Sequence, residues 1–160
     1  MAQQDCIFCH SLGGEIIWQD DFCRVVLVDD KNYIGFCRVV LNKHVKEMTD
    51  LTTEERARLM DVTFIVERVL RELLKPEKIN LASVGNKTPH IHWHVIPRFK
   101  SDIHFPETIW SEAQRASSPA GGTRSRCYRA ESGGVLLPGA HGVGERRSAA
   151  RSLCRCADQD

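Results

Sequence analysis

The stretch PHIHWHVIPRF, residues 89–99, places histidines at positions 90, 92 and 94, each followed by a bulky apolar residue. Alternation with a period of two is typical of a β-strand that buries one face. On such a strand His90, His92 and His94 point to the same side, with neighbours roughly 6.5–7 Å apart at Cα. We therefore expect the three imidazoles to act on one shared group.

The rest of the pattern predicts an α+β domain in which one long helix packs on a mainly antiparallel, five-stranded sheet. Apolar, β-branched runs predict strands at residues 15–20, 22–30, 35–41, 79–84 and 91–99. Thr52 and Glu55 have the spacing of a capping box, which marks a helix start. Beyond it, six apolar residues recur at helical spacing before Pro76: Leu59, Val62, Val66, Val69, Leu70 and Leu73.

Length and charge favour one small domain that binds no polymer. The chain has 160 residues, 42% of them hydrophobic, and 22 basic against 21 acidic residues give a net charge of +1. No broad basic field is present to attract nucleic-acid polymers, and no apolar run approaches the roughly 20 residues of a membrane span. The start MAQQDCIFCH also lacks the regions of a signal peptide. We expect a cytoplasmic protein with neither nucleic-acid polymer nor membrane as partner.

The composition changes after residue 116. Residues 117–160 hold seven of the eleven glycines and seven arginines against four acidic residues, without a sustained apolar period. We predict a folded domain at 1–116 and a low-complexity basic tail at 117–160 that is disordered or loosely attached. Such a tail can bind acidic partners, although a solvated extension without function is the simpler interpretation.

The seven cysteines indicate free thiols or a metal site, because their number is odd and an export signal is lacking. Cys6 and Cys9 form a Cys-x-x-Cys pair, which is half of a zinc signal. Without a metal they would be small hydrophobic residues under the sheet. Cys23 and Cys37 alternate with apolar strand residues and are predicted to lie in the core.

The histidine row has three candidate explanations. A packing role is physically poor, because charged rings repel one another and neutral rings leave nitrogens unsatisfied. A metal site is the main rival, because neutral imidazoles on one strand can converge on zinc, but three residues in a row on a regular strand suit tetrahedral ligation badly. The third explanation is catalysis on a phosphate, in which imidazoles divide the roles of nucleophile, acid and base.

The motif HIHWHVI resembles that of the histidine-triad (HIT) family of nucleotide hydrolases and transferases. The resemblance extends over residues 5–112 and includes CIFC, LVDDKNYIGFCRVVLNKH, INLASVGNKTPHIHWHVIPRF and FPETIW. It implies a HIT-like fold, a homodimer formed through edge strands and the long helices, and no catalytic cofactor.

Carried over to this chain, the resemblance implies the catalytic roles. His92 would attack the α-phosphorus of a nucleotide and form a covalent nucleotidyl-histidine. His94 would donate hydrogen bonds to phosphate oxygens and assist the leaving group, while His90 would orient the site. A backbone carbonyl would hold the proton on the other nitrogen of His92.

The resemblance also implies binding residues. The phosphate loop would contain Gly85, Asn86, Lys87 and Thr88, with Lys87 standing where many relatives have a hydroxyl residue. Asp29, or alternatively Asp30, would hold the ribose, and Asn80 would face the nucleotide. A structural zinc, present in some members, would here be bound by Cys6, Cys9, His44 and His90.

The expected function is hydrolysis or nucleotidyl transfer at the α-phosphate of purine nucleotides such as dinucleoside polyphosphates or nucleoside phosphoramidates. Two alternatives stay open: a nucleotide-binding regulator or adaptor with vestigial catalysis, and a strand-borne metal enzyme.

Overall fold

The computed structural model describes residues 5–116. In chain order the elements are α1 (Ile7–His10), β1 (Glu15–Gln19), β2 (Cys23–Leu27), β3 (Cys37–Leu41), a 3-10 turn (Met48–Asp50), α2 (Thr53–Leu74), β4 (Lys78–Ala82) and β5 (His92–Arg98). The predicted tail, residues 117–160, lies outside the described residues, so the domain boundary stays a prediction.

The five strands form one antiparallel sheet in the order β1-β2-β3-β5-β4. β1, β2 and β3 follow one another as hairpins. The chain then crosses one face of the sheet as α2, returns along the far edge as β4, and inserts β5 between β4 and β3. The predicted α+β fold, with one long helix on a five-stranded sheet, is confirmed.

Helix α2 begins and ends where the sequence predicts. The hydroxyl of Thr52 accepts from the amide of Glu55, and the carboxylate of Glu55 accepts from the amide of Thr52, which completes the capping box. Lys75 follows the last helical residue in the left-handed conformation, with φ of 49°, and Pro76 comes next. None of the helices in residues 5–116 combines the length and the hydropathy that a membrane span requires.

The main core lies between α2 and the sheet. Its buried residues come from all but the first strand, from α2 and from two loops: Cys23, Val25, Leu27, Cys37, Val39, Leu41, Leu51, Leu59, Val62, Val66, Leu70, Ile79, Ile91 and Val95. Cys23 and Cys37 are fully buried there, as predicted. Of the six predicted helix positions, Val69 and Leu73 are half-buried.

The opposite face of the sheet is covered by the N-terminal segment, where Cys6 and Phe8 pack on Val26 and Val40. His92 and His94 project from β5 on this second face, while Trp93 packs with the core under α2. The predicted alternation of β5 is therefore confirmed for these two histidines, and it separates the histidine pair from the main core.

His90 lies just before the strand that carries His92 and His94. Its amide donates to the carbonyl of Thr88 at 2.8 Å, which makes a turn. The next amide, of Ile91, pairs with the carbonyl of Val45 in the loop after β3. Ile91 packs in the main core, whereas the His90 ring lies on the second face against Phe8 and Cys6. The expectation that the three imidazoles point to one side is therefore confirmed, although the His90 ring contacts Cys6 and His44 rather than His94.

Candidate active site and metal site

His92 is held with one ring nitrogen free to react. Its Nδ1 lies 2.7 Å from the carbonyl oxygen of His90. Burial lowers the pKa of His92, so the ring is neutral near pH 7. Since a carbonyl only accepts, Nδ1 carries the single proton, and the lone pair is on Nε2. The backbone carbonyl implied by the resemblance is thus that of His90.

His94 is the hydrogen-bond partner of that lone pair. The two Nε2 atoms lie 3.1 Å apart, and because Nε2 of His92 is unprotonated, Nε2 of His94 must be the donor. Burial, together with the neighbouring His92 ring and the positive charge of Arg38, lowers the pKa of His94 to about 3. Its Nδ1 is buried without a partner in the described residues. The ring is a neutral donor aimed at the place where a group attacked by His92 would sit.

Three aromatic rings surround the pair, and sequence reasoning gave them no role. Phe8 of α1 lies 4.7 Å from His92 between ring centroids. Phe36, just before β3, lies 5.5 Å from His94, and Trp110 meets the same ring edge-on at 5.3 Å. Trp110 is 52% exposed. Trp110 ends the segment FPETIW, which resembles the family pattern but to which the sequence assigned no function.

The sequence pattern also gave no role to Arg38, although it is the one charged residue in the apolar strand GFCRVVL. It pairs with His94 across β3 and β5, so the two side chains share the second face. Its guanidinium lies 5.2 Å from the centroid of Phe36 and 6.0 Å from that of Phe8. Its positive charge contributes to the lowered pKa of both His92 and His94.

The structure brings together the four predicted zinc ligands Cys6, Cys9, His44 and His90, with all ligand atoms within 4.8 Å of one another. Sγ of Cys6 lies 3.2 Å from Nδ1 of His90, and Sγ of Cys9 lies 3.3 Å from Nδ1 of His44. The edges of a tetrahedral site with two thiolates and two imidazoles are about 3.3–3.8 Å. The four side chains could therefore hold a metal ion.

The tautomer of His90 also fits a metal site. Its Nε2 lies 2.7 Å from the carbonyl oxygen of Leu41 and must donate to it. The lone pair of a neutral ring is then on Nδ1, which faces the thiols. The ring of His90 belongs to this cluster, while its carbonyl oxygen contacts His92. One residue thus connects the metal cluster to the histidine pair.

The predicted phosphate loop lies between β4 and β5 and leads into His90. Asn86 and Lys87 are exposed, and Gly85 and Thr88 are half-buried. Among the described residues, no hydrogen bond joins these side chains to His92 or His94. A Cβ built on Gly85 would meet its nearest neighbour, the carbonyl oxygen of Thr88, at 3.4 Å, so the apo backbone itself does not demand glycine.

The predicted ribose residues differ in how they are engaged. Asp29 is exposed after β2, whereas Oδ1 of Asp30 accepts from the Asn32 amide at 2.9 Å and supports the turn. Asp29 is therefore the better placed of the two for a ligand. Oδ1 of Asn80 accepts from Arg98 at 2.7 Å, so this side chain is already held by the protein.

A cavity of about 460 Å³ lies beside the histidine pair rather than over it. It runs along the edge strand β4 and is lined by residues that include Asn80, Ile96, Thr108, Ile109 and Trp110. Trp110 contacts both the cavity and His94. We place the chemistry at the histidine pair, because no group in the cavity lining has comparable reactivity.

The segment after β5 is fastened by a buried ion pair that sequence reasoning also missed. Nε of Arg98 donates to Oδ2 of Asp102 at 2.8 Å, and the Phe99 amide donates to the same oxygen at 3.0 Å. Tyr33 and His104 are in close hydrogen-bond contact nearby. These contacts fix the chain that carries Trp110 to His94.

The fold and the histidine pair define a histidine-triad domain. The family model described as HIT domain matches residues 12–101, more than half of the chain. The chain therefore belongs to the HIT family.

Relatives with named activities are similar over part of their length. The AP-4-A phosphorylase of Mycobacterium tuberculosis (strain ATCC 25618 / H37Rv) is 34% identical over 77 residues, which is 44% of this chain and 40% of that protein. The bis(5'-nucleosyl)-tetraphosphatase [asymmetrical] of Schizosaccharomyces pombe is 27% identical over 86 residues, 51% of this chain and 47% of that protein. The chain matches less than half the length of either relative.

Solved structures show the same fold. A histidine triad protein from Bradyrhizobium japonicum has a TM-score of 0.58 and 26% identity, covering 89% of each chain. A Zn-bound histidine triad family protein from Mycobacterium smegmatis has a TM-score of 0.56 and 20% identity, covering 98% of this chain and 95% of that one. At 20% identity the second likeness concerns the fold alone.

Proposed function

We propose that this protein is a nucleotide hydrolase or transferase that acts at the α-phosphate of purine nucleotides through a covalent nucleotidyl-His92 intermediate. One observation carries the proposal: the His90 carbonyl holds the proton on Nδ1 of His92, and Nε2 faces a proton donor, Nε2 of His94, at 3.1 Å. A nucleophile and a donor this close divide the tasks that phosphoryl transfer requires.

The step follows from these two nitrogens. A phosphate oxygen first takes the hydrogen bond of His94, which frees the lone pair of His92. Nε2 of His92 then attacks phosphorus, a P–N bond forms, and the bond from phosphorus to the leaving group breaks. His94 keeps its proton and hydrogen-bonds the phosphate; a polyphosphate leaving group departs without a proton, whereas an amine leaving group takes one from solvent. Attack of water on phosphorus then breaks the P–N bond, whose electron pair returns to Nε2 of His92; the proton of the water goes to solvent, and the nucleotide is released.

The substrate class rests on the family and on its named relatives. The names AP-4-A phosphorylase and bis(5'-nucleosyl)-tetraphosphatase describe enzymes of dinucleoside polyphosphates, and we propose the same class here. Lys87 in the predicted phosphate loop stands where many HIT proteins have a hydroxyl residue, and this difference bears on which leaving group the site prefers. Nucleoside phosphoramidates, which have an amine leaving group, are therefore the second substrate class to test.

The test is a comparison of three proteins with a panel of dinucleoside polyphosphates and nucleoside phosphoramidates. Wild type should turn over at least one of them, and acid-sensitive nucleotidyl adduct should accumulate on His92. His92→Asn should bind nucleotide and lose turnover by orders of magnitude. His94→Ala should be slower but still form adduct. Nucleotide binding by wild type without turnover would favour the regulator or adaptor instead.

We propose that the ion bound by Cys6, Cys9, His44 and His90 is zinc. Thiolate and imidazole ligands suit zinc, and four protein ligands leave no open position, as in structural sites. The ion would tie the N-terminal segment, which carries Phe8, to the backbone whose carbonyl orients His92. It would supply stability and positioning, and no step of the transfer needs it.

We also propose a homodimer, as the resemblance implies. β4 is an edge strand of the sheet, and Phe64 on α2 is 50% exposed. Pairing of two β4 edges would satisfy open backbone groups and cover apolar surface. Sedimentation equilibrium should give twice the mass of the chain, and Phe64→Glu should weaken the association. A monomer at micromolar concentration would contradict this.

A further inference from the structure

The second face of the sheet carries two arginines from the same pentapeptide. CRVVL occurs at 23–27 in β2 and again at 37–41 in β3. The strands are antiparallel, and Arg24 pairs with Val40 while Arg38 pairs with Val26. The identical segments thus place their arginines at opposite ends of one surface, and each arginine meets different neighbours.

All three guanidinium nitrogens of Arg24 donate hydrogen bonds within the protein. Its Nε donates to the carbonyl of Leu12 at 3.2 Å, its Nη1 to the side chain of Asn42 at 3.2 Å, and its Nη2 to the carbonyls of Phe8 and Ser11 at 2.8 and 3.3 Å. These bonds fasten the N-terminal segment. Arg24 therefore has a structural role that accounts for its charge and its donors.

The guanidinium of Arg38 has fewer partners within the protein. Its Nη1 donates to the carbonyl of Gly13 at 3.1 Å, but its Nε is buried with no partner in the described residues. A buried N–H of a charged group without an acceptor is unfavourable unless a ligand supplies one. The unmatched donor is therefore available to an acceptor from outside the chain.

The position of the Arg38 guanidinium indicates the chemical class of the acceptor. It lies between Phe8 and Phe36, and each of these rings contacts one of the two histidines. Arg38 is also the cross-strand partner of His94. A fixed positive charge beside two neutral imidazoles attracts an anion to the point where the chemistry would occur.

We propose that Arg38 is a substrate-binding residue that donates a charge-assisted hydrogen bond to a phosphate oxygen of the nucleotide. The inference deepens the proposed function, on which it rests for the identity of the ligand as a nucleotide. Arginine suits the task, because its planar fork can bind an oxygen through one nitrogen while another stays anchored to Gly13.

The test separates recognition of the phosphate from recognition of the nucleoside. Binding of AMP and of adenosine to the full chain is measured by calorimetry for wild type, Arg38→Leu, Arg38→Gln and Arg38→Lys. The control is Arg68→Gln, which removes the same charge from an exposed position on α2. GMP, CMP and UMP with their nucleosides are measured as well, so that base preference does not hide the effect.

Loss of the donor should weaken binding of the monophosphate by about 10- to 100-fold and leave nucleoside binding within about threefold. Arg38→Lys should recover part of the loss, and Arg68→Gln should match wild type. If Arg38→Leu is poorly folded by circular dichroism, Arg38→Gln and Arg38→Lys decide. Equal losses for phosphate and nucleoside, an unchanged monophosphate affinity, or no wild-type affinity for any of the four monophosphates would overturn the assignment.

Failure of the proposed function would look different. AMP is a product of the proposed reaction, so its affinity does not depend on turnover. A wild type without turnover or adduct, whose AMP binding still depends on Arg38, would refute the catalytic proposal and support this one.

Discussion

The buried pair of Arg98 and Asp102 gives a sharp prediction about stability. The two side chains are 2% and 6% exposed, and the distance from Nε to Oδ2 is 2.8 Å. Asp102→Ala would leave the guanidinium buried with Asn80 as its remaining side-chain acceptor, at 2.7 Å. It would also take the acceptor from the Phe99 amide. The variant thus removes one charge and two hydrogen bonds together.

The expected cost follows from the burial. Removing one partner of a buried ion pair costs about 3–5 kcal/mol, and the remaining bond to Asn80 places this case near about 3 kcal/mol. For a domain of about 100 residues this corresponds to a fall in melting temperature of roughly 10–20 °C. Because the pair fastens the segment that carries Trp110, we also expect weaker nucleotide binding in the variant.

The assay is urea unfolding of the full chain followed by circular dichroism. Lys100→Ala is the control, because Lys100 and Glu77 form an exposed pair at 3.8 Å whose loss should cost less than about 0.5 kcal/mol. The double variant Arg98→Met with Asp102→Leu removes both charges and should recover much of the loss. A change below about 1 kcal/mol for Asp102→Ala would refute the reasoning.

Three further predictions concern the metal, the tail and pH. Purified protein should contain about one zinc per chain by metal analysis. The variant Cys6→Ser should lose the zinc and be less stable, whereas the buried-thiol control Cys23→Ala should keep the metal. Wild-type protein that is folded and active without metal would contradict the site. Deleting residues 118–160 should leave melting temperature and turnover almost unchanged, because that composition offers little apolar surface to bury; a large loss of either would show a docked tail. Burial alone would raise the pKa of Asp20, but hydrogen bonds from Cys23 and Arg58 lower it overall, so the ionised carboxylate stabilises the fold above its unfolded pKa. The difference in urea stability between wild type and Asp20→Asn should therefore disappear as the pH falls below about 4. A difference that persists in acid would mean that another effect dominates.

Local patterns predicted the elements well, because their causes act over a few residues. The capping box needs Thr52 and Glu55, three positions apart, and the alternation of His92 and His94 follows from strand geometry. His90 keeps the alternation, but its ring has a partner that no local pattern predicts. Sγ of Cys6 and Nδ1 of His44 lie 3.2 Å from its Nδ1, so contacts between distant residues place this ring in the metal cluster.

By itself, the sequence determined the class of the domain, the strand that carries the histidine pair, and through its resemblance the candidate site residues. The tertiary structure decided which residues meet. Cys6 and His90 are 84 positions apart and lie in contact, although no periodicity links them. Arg24 and Arg38 lie in identical pentapeptides, and only the antiparallel register assigns one to the N-terminal segment and the other to His94. Chain neighbours are the same for both arginines, whereas neighbours in space depend on which strands pair, and that choice is made by the packing of the whole domain.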